Sequence, residues 1–113
     1  MSQKSLGEFE HIVLLALIRL EGNAYGASIR QFLHSEIDRN VALGALYSTL
    51  ERMEKKGLVV SVLGEATAQR GGRPKRFFSV TAEGKAALRH AKQVIDTMWK
   101  DVAVKASGES YAF

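Results

Sequence analysis

Four cations crowd one short stretch of the chain. Arg70, Arg73, Lys75 and Arg76 fall within "ATAQRGGRPKRFFSV", residues 66–80, which holds no acid, one glycine pair and the only proline. The net charge of the whole protein is +4, and this stretch alone carries +4. A solvated face usually mixes both signs, so a one-sign cluster predicts an anionic partner, and a row of guanidinium and ammonium groups suits phosphate. Catalytic chemistry is much harder to assemble. There is no Gly-rich phosphate cradle at a strand–helix junction, no HExxH, and no nucleophile with a matched base. His11, His34 and His90 are scattered, and "HSE" at 34–36 has no further ligand at metal spacing on the same helix. The chain is therefore expected to be neither an enzyme nor a metalloprotein, and to need no cofactor.

Bulk properties bound the rest. At 113 residues, 46% hydrophobic and 25% charged, the chain has the composition of one small globular domain. The longest apolar run, "IVLLALI" at 12–18, is too short to span a bilayer and lacks signal-peptide flanks. No membrane association is expected. The absence of cysteine suits a reducing interior, which predicts a cytoplasmic location.

The elements that must position the cations follow from periodicity. "LGEFEHIVLLALIRL" at 6–20 predicts a helix that is apolar almost all round. After "EGN", with Asn23 as a cap, a second helix places Gly26, Ile29, Leu33 and Ile37 on one face, Gly26 where another helix comes close. "DRN" at 38–40 breaks the chain. A third helix then carries Leu43, Leu46, Leu50 and Met53 as a buried stripe, up to a stop at Gly57. "LVVSVLGE" and "RFFSV" predict two strands flanking the basic bend, with Phe78 and Val80 on one face. Thr81 and Glu83 open a last helix.

Helix, helix, helix, strand, strand, helix is the order of a winged helix-turn-helix, and the basic bend becomes its wing. The expected fold is mainly α with a small β-hairpin: a winged helix-turn-helix over 5–80, a C-terminal dimerisation helix over 81–105 and a flexible tail over 106–113. The third helix presents Gly44, Ala45 and Ser48 opposite its apolar stripe. Small residues near a helix start allow close approach to base edges, and Arg52 one turn on reaches a phosphate or a guanine. Tyr25 and Tyr47 each have two readings: a ring packed on the core, or a hydroxyl given to a phosphate. The expected partner is double-stranded DNA. A winged-helix module for protein–protein docking is the alternative, and RNA is a weaker third, since the exposed aromatic platforms of single-strand readers are lacking.

In the last helix Leu88, Ala91, Ile95, Met98 and Val102 recur at spacings of 3 and 4, widened by Val94 and Trp99. Such a seam packs back on its own domain or on a second copy; the first three helices have apolar residues enough for their own core and a wet seam is costly, so a homodimer is expected, presenting two reading heads to a pseudo-palindromic site. Trp99 is either an anchor in that interface or a flat surface for a planar aromatic effector.

The segments "LGEFEHIVLLAL", "AYGASIR", "VALGALYSTLERMEKKGLV" and "RGGRPKRFFSVTAEG", with the helix after them, resemble the PadR family of bacterial transcriptional regulators, in its short branch with one C-terminal helix. The resemblance covers about residues 6–100. It implies a winged helix-turn-helix homodimer, usually a repressor, that pairs through its last helix and often responds to small aromatic or hydrophobic effectors. It assigns the third helix, Arg70, Arg73, Lys75 and Arg76 to DNA, and Trp99 to the effector. Ala42 stands where many members have a hydroxyl residue.

Overall fold

The computed structural model of the chain describes residues 5–64 and 74–103. Arg70, Arg73 and the tail expected at 106–113 lie outside the described residues. Four helices and one hairpin follow in the order α1 (Glu8–Arg19), α2 (Gly26–Ile37), α3 (Leu43–Lys55), β1 (Val59–Leu63), β2 (Arg76–Val80) and α4 (Ala82–Trp99). The architecture is mainly helical with a small antiparallel hairpin, as the periodicities require.

Local chemistry sets the boundaries. α1 opens at Gly7, whose N–H donates to the Glu10 carboxylate at 3.0 Å, which is half of a capping box. The cap of α2 is Tyr25 rather than Asn23. Its N–H donates to the Ser28 hydroxyl at 2.9 Å, and that hydroxyl donates back to the Asn23 carbonyl at 2.6 Å. Asn23 thus contributes backbone, not side chain. α2 closes with Asp38 in the left-handed region (φ 52°) and the Arg39 N–H on the Leu33 carbonyl. α3 starts at Ala42, which offers no side-chain cap, and ends where Gly57 takes φ 80°. Thr81 caps α4 by accepting the Gly84 N–H, while its hydroxyl donates to the Gly57 carbonyl at 2.7 Å.

The core is closed by Val13, Leu14 and Leu17 of α1, Ile29 and Leu33 of α2, Leu46, Leu50 and Met53 of α3, Val59 and Phe78 of the hairpin, and Ala87 and Leu88 of α4. Two residues expected inside are not. Ile37 and Leu43, at the last turn of α2 and the first of α3, are 48% and 41% exposed. The hairpin pairs Val59 with Val80 and Leu63 with Arg76, and Phe78 and Val80 face inward as alternation demands. Its other edge is sewn to the α1–α2 connection, where the Phe78 N–H donates to the Ala24 carbonyl at 2.8 Å. α4 crosses the root of the hairpin at Gly84. A Cβ there would run into the Leu58 carbonyl and the Val80 side chain, so only glycine allows the approach.

α4 departs from expectation at both ends of its stripe. Leu88 is only 7% exposed and belongs to the protomer's own core, and Ala91 is half-buried. The helix stops at Trp99, Asp101 takes φ 62°, and Val102 lies beyond the last turn rather than on the helical seam. A stripe of 3–4 spacing marks an apolar face without saying which neighbour covers it. Between these ends, Val94, Ile95, Met98 and Trp99 are exposed.

Candidate nucleic-acid interface

α2 and α3 form the helix-turn-helix. Its turn is tied by the Arg30 Nε–H donating to the Val41 carbonyl at 2.8 Å and by a 2.8 Å hydrogen bond between His34 Nδ1 and Asn40 Oδ1. α3 buries Leu46, Thr49, Leu50 and Met53, which turns Gly44, Ala45 and Ser48 to solvent. Nothing would obstruct a Cβ at Gly44. The outward face near the start of α3 is therefore flat and free of bulk.

Tyr47 is not on that face. It is half-buried, its ring lies 6.3 Å from that of Phe78, and its hydroxyl reaches the start of α2 where a Cβ at Gly26 would stand. Gly26 thus makes room for a tyrosine from α3. Tyr25 is also half-buried. Its ring meets Phe77 edge-on at 5.5 Å and 70°, and the Lys75 ammonium sits 4.3 Å from its centroid. Both tyrosines pack as aromatic bodies.

Of the wing cations, Lys75 and Arg76 are described, and neither lies against a carboxylate among the described residues. Arg76 donates to the Ser61 hydroxyl at 2.8 Å, and Ser61 donates on to Glu54 Oε2 at 3.0 Å. This relay joins the two strands to the last turn of α3.

Arg52 differs most from expectation. Its guanidinium donates to the Thr49 hydroxyl at 3.4 Å and lies 3.8 Å from the Glu10 carboxylate, which also receives the Lys56 ammonium at 3.0 Å. More than half of the Arg52 side chain remains exposed, yet its charge is directed toward α1. Glu10 is the residue that sequence reasoning missed. Burial opposes its ionisation, but the Gly7 N–H, Lys56 and Arg52 together outweigh it and hold the pKa below the ordinary carboxylate range. Its partners lie some forty residues away, so only the capping-box spacing from Gly7 was legible locally.

A second region lies between α1 and α4. Leu15 and Ile18 of α1, with Leu88 and Ile95 of α4, line a groove of about 660 Å³ that His11, Lys85, Arg89 and Lys92 also border. A smaller hollow of about 230 Å³ is formed by Ile95, Met98, Trp99 and Val102. Among the described residues no helix is long and apolar enough to cross a membrane, and no three metal-ligating side chains converge.

The model of the PadR-like family of transcriptional regulators matches residues 14–90, from the core of α1 to the middle of α4. The chain belongs to that family. Among solved structures it is similar to a PadR family transcription regulator from Clostridium difficile, at 31% identity over 80% of this chain and 92% of that one, with a TM-score of 0.62. A transcriptional regulator from Clostridium thermocellum is 27% identical over 80% and 85% of the two chains, with a TM-score of 0.66. A PadR-like transcriptional regulator from Bacillus cereus shares the fold at 24% identity, over 81% and 84%, with a TM-score of 0.65. No curated protein matches the chain. A PadR-like regulator is not an enzyme by family. The matched region ends before Val94, so the exposed end of α4 is read from this chain's own residues.

Proposed function

We propose that this PadR-like protein is a sequence-specific regulator that binds double-stranded DNA as a homodimer, represses from a pseudo-palindromic operator in the cytoplasm, and is released by a small aromatic or hydrophobic effector. Residues 5–80 are the reading unit, α4 the pairing element, and the winged-helix docking reading gives way to this one. The observation that carries it is the flat start of α3, where Gly44, Ala45 and Ser48 face solvent beside a wing root whose two described cations meet no carboxylate among the described residues.

The mechanism follows from that placement. α3 enters the major groove by its N-terminal turns, Gly44 and Ala45 admit the base edges, and the Ser48 hydroxyl exchanges a hydrogen bond with one of them. The wing, with Lys75 and Arg76 and with Arg70 and Arg73 beyond them, lies along the phosphates or in the minor groove and displaces counterions. Arg52 contributes at the margin, its charge shared with Glu10. Tyr25 and Tyr47 support the surface.

Pairing is supported by the apolar side chains the protomer leaves uncovered. Leu15 and Ile18 on α1 flank one groove with Ile95 on α4, Met98 and Trp99 form the smaller hollow with the same Ile95, and each residue buried there contributes up to about 1.5–3 kcal/mol. A two-fold pair covers them and sets two copies of α3 on one face of the duplex. Trp99, half-exposed in the hollow with Met98, offers the flat face an aromatic effector stacks on.

The test is selection of bound fragments from random duplex DNA, with and without a panel of planar aromatic compounds. One enriched motif with two-fold symmetry is expected, with affinity falling steeply as salt rises and weakened for every sequence by Arg73→Glu. Absence of enrichment together with salt-independent behaviour would refute the reading. Quenching of Trp99 fluorescence by members of the panel tests the effector.

A further inference from the structure

We propose that Tyr25 serves DNA binding through the face of its ring and not through its hydroxyl: it is a positioning residue that holds the wing's Lys75 beside the first turn of α2. The inference rests on the DNA-binding reading above and deepens it. Three observations place the ring. The Tyr25 backbone is fixed as the cap of α2 by its N–H on Ser28. The residue before it, Ala24, accepts the Phe78 N–H, so the ring stands at a set depth against β2. Phe77 meets the ring edge-on at 5.5 Å and 70°, which fixes its tilt and leaves a face to Lys75.

On that face the Lys75 ammonium lies 4.3 Å from the ring centroid. An exposed lysine on a bend otherwise samples many rotamers, and holding it costs side-chain entropy. The negative face of the tyrosine ring offsets that loss before any partner arrives. Helix dipoles make the N-terminus of α2 positive, so an ammonium held beside it is electrostatically unfavoured on its own. An arriving phosphate satisfies both charges at once. The ring therefore concentrates positive potential where the helix-turn-helix and the wing meet, and it joins two parts of the interface that are fifty residues apart in the chain.

The test uses the full-length protein and two duplexes, one selected by the unaltered protein and one of scrambled sequence. Y25F keeps the ring and should bind both within about twofold of the parent. Y25L removes the ring and should weaken binding to both about three- to tenfold, as expected when one preordered cation no longer meets its phosphate. In a K75Q background the same Y25L change should cost nothing further. In the free protein, the ring-current shift of the Lys75 side-chain protons should persist in Y25F and vanish in Y25L, a signature that general loosening of the domain does not produce. Loss of affinity in Y25F equal to that in Y25L would assign the interaction to the hydroxyl and overturn the proposal. So would a full Y25L penalty in the K75Q background, or no ring-current shift at Lys75 in the parent. Should Y25L not fold, Y25F and the parent's Lys75 shift still decide the matter. If no duplex is selected at all, the DNA-binding reading fails first, while the Lys75 shift still reports on the ring.

Discussion

Glu10→Gln offers the most searching test of how the reading helix is held. Glu10 is 7% exposed and its carboxylate oxygens are divided: one accepts the Gly7 N–H at 3.0 Å, the other receives Lys56 at 3.0 Å and approaches Arg52 at 3.8 Å. Glutamine keeps the size and the bond to Gly7 but loses the charge that draws both cations. Removing one partner of a fully buried pair costs about 3–5 kcal/mol, whereas exposed pairs are worth at most about 1 kcal/mol. The Lys56 and Arg52 side chains remain 37% and 56% exposed. The expected loss thus lies between the limits, about 1–2 kcal/mol. For a domain of this size that is a fall in Tm of about 5–10 °C. The sign of its pH dependence is fixed. Glu10 titrates lower in the folded chain than in the unfolded one, so its stabilisation is complete above the unfolded value and disappears as pH falls through the folded value. Urea unfolding of parent and variant should differ most at neutral pH and converge on acidification through the carboxylate range. Equal stability at neutral pH, or a gap that widens with acid, would refute this account of Glu10.

Gly84→Ala should destabilise by about 1–3 kcal/mol in urea unfolding, because the new Cβ meets backbone and cannot be accommodated by a side-chain rotation. Gly26→Ala should cost less, since there the obstacle is the far end of the Tyr47 side chain. Ser48→Arg should change or abolish site preference while leaving Tm within about 2 °C, as Ser48 is exposed. An unaltered preference would misplace the reading face. Met98 is 71% exposed, so Met98→Glu should leave the protomer folded yet yield monomers in sedimentation at concentrations where the parent pairs. A dimer that survives would exclude this end of α4 from the interface.

The order of elements and the hairpin were legible because periods of 3.6 and 2 survive in single segments, and because Gly57 and the Thr81–Glu83 pair mark their ends. What escaped was pairwise. The 3–4 spacing of α4 is identical whether a residue meets its own core or another molecule, so Leu88 and Met98 read alike, although one is buried and the other is not. Asn23 had the right side chain for a cap, but the cap falls two residues later, at Tyr25, whose N–H donates to the Ser28 hydroxyl. Arg52 reads from the sequence as a contact to phosphate or guanine, unconnected with Glu10, and only the fold brings the two, forty-two residues apart in the chain, within 3.8 Å. The flat start of α3, by contrast, could be foreseen, because an apolar stripe at helical spacing fixes the opposite face as well.

At Gly84 the last helix lies on the Leu58 carbonyl with no side chain between the two backbones. That junction has no cushion of rotamers to absorb movement. The Leu58 carbonyl also accepts the Thr81 N–H at 3.0 Å, and the Leu58 N–H donates to Met53 on α3. The last helix, the base of the hairpin and the last turn of the helix before it therefore meet backbone to backbone at one residue. The distance between the last helix and the wing's root is set by a single missing methyl group.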